Sequence, residues 1–289
     1  MSPSRYSMLL MVAFGALWAL LEAVATHMTR SYSPFQVVWT RYAVHLAFML
    51  AVWGWREPLS LVSTRRPVYQ LARSALMLVM PASFVFGLMR GLSPNTLMSV
   101  FWVTPLLVLA FSAVLLREFA PTVLWLAAAG ATAGAILVLD PQAPSGSLLW
   151  PLAPLVMAGS FSLYVVMTRA LRAETSRANL FYTAFGVFIA LSPLMPWVWV
   201  TPSRHDFAIM VAIGLIGWLS LYLLDRMAAA SAVTESAPVS PAQAVVAVGL
   251  GALAGHFHPR PEFWAGLALL AAVALVTWLR APALKVQTV

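Results

Sequence analysis

Glu22 and Arg41 are opposite charges standing in two apolar runs early in the chain. Counted from the loop between those runs, both lie about 9–10 Å deep at 1.5 Å rise per residue. Charges at one depth on consecutive antiparallel helices suit an ion pair. His45 falls one helical turn from Arg41, and Trp18 one turn from Glu22, so the four side chains can form one wall of a pocket. The planar fork of an arginine grips a carboxylate or phosphate. Glu22 could take a cationic group or a coupling proton. The plainer alternative is that the two charges only neutralise each other and pin their helices together.

A second polar set is Asn95, Ser99 and Trp102, spaced i, i+4, i+7 on one helical face beside Pro94 and Pro105. Such a stripe suits a planar or amphipathic solute, or else a packing seam. Glu235 stands among Thr234, Ser236, Pro238, Ser240, Pro241 and Gln243 with no basic residue at helical spacing. It is expected about seven residues inside its apolar run, with Arg226, Arg73 and the Tyr164 phenol as nearest candidates. Arg73 and Glu118 fall near one face and are expected to pair, as a structural contact or a gate. Asp225 and Arg226 read as solvated loop charges. Tyr42 and Tyr182 are weaker candidates, since a phenol is satisfied at an interface. His256 and His258 offer two ligands where zinc wants three or four, so no metal centre is expected. No cofactor is implied.

The residues around these groups set their cost. Of 289 residues, 62% are hydrophobic and 9% charged, where soluble domains carry about 25% charged. A charge at the centre of a membrane helix costs about 2.5–3.5 kcal/mol on insertion scales, which makes each deep one a functional candidate. The net charge of +8 is scattered in ones and twos between apolar runs, unlike the clustered patch of a nucleic-acid binder. With no cysteine, disulfides, thiolate metal sites and cysteine nucleophiles are excluded.

A span needs about 20 apolar residues. Ten candidates follow: 8–28, 34–54, 68–89, 94–116, 121–139, 148–168, 179–199, 206–224, 228–254 and 262–279. The expected fold is an all-α integral membrane protein of ten transmembrane helices. Asp140–Ser147 divides it into residues 1–140 and 148–280, five spans each, with 281–289 as a short tail. With the N-terminus in the cytoplasm, eleven basic residues fall in cytoplasmic segments: Arg5, Arg56, Arg65, Arg66, Arg117, Arg169, Arg172, Arg177, Arg226, Arg280 and Lys285. Four fall outside: Arg30, Arg90, Arg204 and Arg260. That bias puts both termini in the cytoplasm. An odd number of spans per half makes the halves enter from opposite sides. Met28-Thr29-Arg30 recurs as Met167-Thr168-Arg169, and Phe119-Ala120-Pro121 as Phe257-His258-Pro259, at nearly one offset. An inverted repeat is therefore expected, with spans 4 and 9 interrupted by proline and lining a central cavity.

The first half resembles the drug/metabolite transporter superfamily in its EamA-type ten-helix branch. The resemblance rests on Gly15-Ala16-Leu17-Trp18, Phe35 to Arg41, Arg73, Pro105-Leu106-Leu107, Leu116-Arg117-Glu118, Gly130 and Gly134. The second half departs from it, with Gly255-His256-Phe257-His258 where a Gly-Glu loop would repeat and an acid, Glu235, inside span 9 instead. The resemblance implies two inverted five-helix repeats, alternating access and no ATP. It leans toward carriers of nucleotide-like or vitamin-like metabolites.

The expected function is an inner-membrane secondary transporter of a small amino-acid-, nucleotide- or vitamin-like metabolite. Protons or a counter-substrate are possible partners, beside the bilayer, and a monomer or weak homodimer suffices. The competing classes are a channel or scaffold, which would favour a symmetric polar lining, and an intramembrane enzyme. The latter needs a deep Ser–His pair, and His45 is the one deep histidine.

Overall fold

The computed structural model describes residues 1–141, 151–253, 255, 260–281 and 286–288. The polar boundary after Pro141, the His256–Pro259 loop and Lys285 lie outside the described residues, and so do the readings placed on them. Ten helices are long and apolar enough to cross a membrane. They are α1 (Pro3–Met28), α2 (Pro34–Gly54), α3 (Pro67–Met89), α4 (Pro94–Leu116), α5 (Thr122–Leu139), α6 (Leu152–Ala170), α7 (Ser176–Val198), α8 (Arg204–Ala230), α9 (Val233–Leu253) and α10 (Pro261–Arg280). The chain is an all-α membrane protein, as expected.

Local chemistry sets where the spans begin. Proline opens α1, α2, α3, α4 and α10, at a position whose N–H has no helical partner anyway. The hydroxyls of Ser2, Ser93, Thr175 and Ser203 accept from the free N–H groups of the first turns of α1, α4, α7 and α8.

Span α4 breaks at Trp102 and Val103, between helical segments Pro94–Phe101 and Thr104–Phe111. Pro105 has no N–H for the Phe101 carbonyl, and the Thr104 hydroxyl donates to it instead at 2.5 Å. The Leu106 N–H turns to Val103, and the Trp102 carbonyl accepts from Thr132 of α5 at 2.8 Å. Span α9 repeats the device. Its helical turn Val233–Ser236 runs into a tight turn at Ala237–Val239 and resumes at Ala242. Pro241 cannot serve the Ala237 carbonyl, which accepts from the Ser240 hydroxyl at 2.8 Å. Inside a membrane such rescue is obligatory, because lipid offers freed carbonyls nothing.

The main pairings are α1 with α8 and α9, α2 with α7 and α8, α3 with α6 and α7, α4 with α6, and α5 with α10. In the last pair the backbones come close: a Cβ added to Gly266 would stand 2.7 Å from the Gly134 carbonyl oxygen. Small residues let backbones approach in this way. On the face away from the termini, Gln36 both donates to and accepts from the Val200 backbone, at 2.6 and 2.9 Å. On the face that carries Ser2 and Arg280, β1 (Glu118–Phe119) pairs antiparallel with β2 (Gln287–Thr288).

Two boundaries differ from expectation. Helix α8 runs on to Ala230, so Asp225 and Arg226 are helical and Asp225 is buried. Its carboxylate accepts from Asn179 at 2.7 Å and from Ser176 at 2.5 Å, which replaces the water a loop charge would have had. Glu235 consequently sits in the first turn of α9 rather than seven residues inside it.

Candidate functional site

The first-half wall forms around Arg41, a buried side chain of α2. Its guanidinium lies 5.1 Å from the Trp18 ring centroid and 4.8 Å from that of Tyr42, and donates to the Tyr42 hydroxyl at 3.2 Å. Nη1 stands 3.8 Å from Oε1 of Glu22. That is near enough for attraction and too far for a hydrogen bond. The Glu22 side chain is 48% exposed against 7% for Arg41, so the acid forms the open rim of a closed cluster. Gly217 of α8 leaves the room for this arginine: a Cβ there would meet Arg41 Cδ at 3.1 Å. His45 is buried, stacks with Tyr42 at 6.2 Å, and has no hydrogen-bond partner at Nε2. The structure thus brings Trp18, Glu22 and Arg41 together, with His45 behind Tyr42. Tyr42, a weaker candidate by sequence, joins the cluster because its neighbour Arg41 turns back onto it.

The stripe on α4 is less polar than its sequence. The Ser99 hydroxyl donates to the Asn95 carbonyl at 2.7 Å, so its proton is committed within the helix. Asn95 is exposed. Trp102 is buried at the helix break, with Nε1–H unpartnered.

Arg73 and Glu118 do not pair. Arg73 is 1% exposed and reaches across to α6 and α7. It donates to Thr168 at 2.9 Å, Gln70 at 2.9 Å, the Asn179 carbonyl at 2.6 Å and Thr183 at 3.0 Å. Gln70 and Asn179 are joined at 2.7 Å, and Asn179 passes the network to Asp225. Tyr164 belongs here, not beside Glu235: its ring lies 5.0 Å from the Arg73 guanidinium and its hydroxyl 3.3 Å from Thr183. This neutral oxygen cage, closed by the Asp225 carboxylate, is what a buried guanidinium needs. The i, i+3 pair Gln70 and Arg73 was its one sequence signal.

Glu118 pairs instead with Arg169 of α6 at 3.1 Å. Arg169 also donates to the Ala228 carbonyl at the end of α8, at 2.9 Å. Glu235 is 7% exposed, and its Oε2 has no hydrogen-bond partner. Among the described residues, the charged groups acting on it are Arg169 and Glu118, with Ser4 and Ser231 as polar neighbours; Arg226, Arg73 and Tyr164 are not among them. No group of three or more metal-ligating side chains occurs among the described residues.

A ten-span helical fold with two proline-broken spans and charges held inside is a multi-pass membrane protein. Residues 5–140, which hold the Arg41 cluster and Arg73, match the model of the EamA-like transporter family. An S-adenosylmethionine uptake transporter of Rickettsia conorii is 25% identical to it over 191 residues. That match covers 65% of this chain and 63% of the relative, so it spans less than two thirds of the relative's length. A protein of known crystal structure shares the fold with a TM-score of 0.78, over 96% of this chain and 98% of that one, at 22% identity.

Proposed function

We propose that the chain is a secondary transporter for a small organic metabolite that carries both a carboxylate and a cationic centre, of the kind S-adenosylmethionine represents. The observation that carries this reading is the loose opposition of Arg41 and Glu22 at 3.8 Å, at the rim of an aromatic cluster. A zwitterion can enter between them. Its carboxylate takes the Arg41 fork, and its cation takes Glu22. Trp18 and Tyr42 flank the same point, and aromatic faces attract cationic ligand groups within about 6 Å. The relative's name adds support, since S-adenosylmethionine combines an amino-acid zwitterion, a sulfonium cation and a flat base.

Alternating access by two inverted repeats belongs to the same proposal. It is supported by the helix packing, whose main pairings are unchanged when each span is exchanged with the one five places on. The α1–α8 contact becomes α6–α3, α2–α8 becomes α7–α3, α1–α9 becomes α6–α4, and α2–α7 and α5–α10 map onto themselves. Thr104-Pro105 and Ser240-Pro241 break corresponding spans by one chemistry. The excess of basic residues on the face of the termini supports the reading that this face lies in the cytoplasm, with the chain in an inner membrane. A monomer meets this scheme, because one chain supplies both halves.

Counterflow in proteoliposomes tests the reading against a channel. Labelled S-adenosylmethionine should enter saturably, and faster when the unlabelled compound is inside. Non-saturating flux indifferent to the internal compound would support a channel.

A further inference from the structure

The connection from α2 to α3, residues 55–66 on the face of the termini, has two different sides. It carries a short helix of its own, Pro58–Val62, in which Leu61 is buried while Leu59 is 77% exposed. Trp55 before it and Val68 after it are exposed as well. The inner side is fixed to the bundle by polar contacts. The Glu57 carboxylate pairs with Arg177 of α7, which also donates to Ser60 at 3.3 Å. The Tyr182 hydroxyl donates to the Val62 carbonyl at 3.1 Å, and the Arg65 N–H donates to the Glu174 carboxylate at 3.3 Å. Asp225, which reaches Ser176 from α8, is buried and accepts from Asn179. The outer side keeps its charge. Arg56, Arg65 and Arg66 are exposed, and among the described residues no carboxylate forms an ion pair with any of their guanidinium groups. Arg56 lies 4.4 Å from the Trp55 ring centroid instead. Arg172, in the α6–α7 turn that also holds Glu174, is a further exposed arginine without an acid.

A connection between two spans lies where hydrocarbon gives way to headgroups. Apolar side chains exposed at that level reach acyl chains, and arginines beside them meet phosphates. The guanidinium fork matches a phosphate bidentately. A basic segment next to a span attracts anionic lipid. We propose that the α2–α3 connection is a docking site for an anionic phospholipid, with Arg56, Arg65 and Arg66 around its headgroup and Trp55, Leu59 and Val68 against its acyl chains. A zwitterionic phospholipid offers the same phosphate, but its cationic headgroup meets three arginines, so the site selects net negative charge. The inner side of the connection holds the start of α7 through Arg177 and Tyr182, so a lipid bound on the outer side braces that junction. The site is separate from the Arg41 cluster and stands whether or not the transport reading holds.

Native mass spectrometry tests this without any substrate, on the full chain released from micelles doped equally with phosphatidylglycerol and phosphatidylcholine. The wild type should retain phosphatidylglycerol about tenfold more than phosphatidylcholine. Arg56→Gln, Arg65→Gln and Arg66→Gln together should abolish that preference. Arg30→Gln, Arg90→Gln and Arg204→Gln together remove the same charge from the opposite face and should leave it intact. Arg65→Gln with Arg66→Gln serves if the first triple variant does not fold, and should weaken the preference. Equal retention of the two lipids by the wild type would overturn the proposal. So would a preference that survives loss of Arg56, Arg65 and Arg66, or one that the opposite-face variant loses equally, since net charge alone would then explain it.

Discussion

The Arg41 guanidinium stops 3.8 Å short of the Glu22 carboxylate while lying within about 5 Å of two aromatic rings. An ion pair meant only to pin α1 to α2 would gain by closing to hydrogen-bond distance. Held open, it leaves Arg41 partly committed to the rings and Glu22 accessible at the rim.

Arg41→Lys keeps the charge and loses the fork and the flat stacking surface. Zwitterion binding should weaken by about tenfold, equal to ~1.4 kcal/mol. Arg41→Ala should weaken it further, with the fold intact by thermal melt. Calorimetric titration against the same compound checks both.

Arg73→Ala is expected to act on stability. It strands the Asn179 carbonyl, Thr168, Thr183 and Gln70 in the interior. Breaking such a buried charged network costs about 3–5 kcal/mol. A large fall in melting temperature, which Arg73→Lys only partly restores, is the outcome that fits.

Gly266→Ala tests the packing of α5 on α10. The new Cβ meets the Gly134 backbone oxygen, which cannot rotate away. Overpacking of this kind costs about 1–3 kcal/mol. The melting temperature should drop, while binding measured below the transition is retained.

Tyr32, in the loop outside the membrane, donates to the Asp206 carboxylate at 2.7 Å. That bond and burial hold its phenol above the ordinary value of 10. A raised folded value means the contribution is complete below the unfolded value and is lost as pH rises through the folded one. Wild-type stability should therefore decline above pH 10, beyond any decline in Tyr32→Phe, in melts run across alkaline pH.

The spans were legible in the sequence because apolar run length is set by bilayer thickness. The α8–α9 boundary was not. Asp225 looked like the end of an apolar run, and only its partners Asn179 and Ser176, on α7, let it stay helical. The Trp18, Glu22 and Arg41 cluster was legible because helical spacing and equal depth sufficed on neighbouring spans. The partners of Arg73 and Glu118 were not, because Arg73 reaches to α6 and α7 and Glu118 to α6, and no local spacing reports which distant helix packs alongside. Ser99 shows a related limit: a hydroxyl in a helix can turn back on the carbonyl one turn earlier, here that of Asn95.

The most direct test is equilibrium binding of S-adenosylmethionine to the purified chain, compared with Glu22→Gln and Arg41→Ala. Saturable binding to the wild type, weakened at least tenfold in each variant while both melt normally, is the predicted result. No binding to the wild type, or binding that neither substitution changes, would contradict the assignment of the Arg41–Glu22 rim as the substrate site.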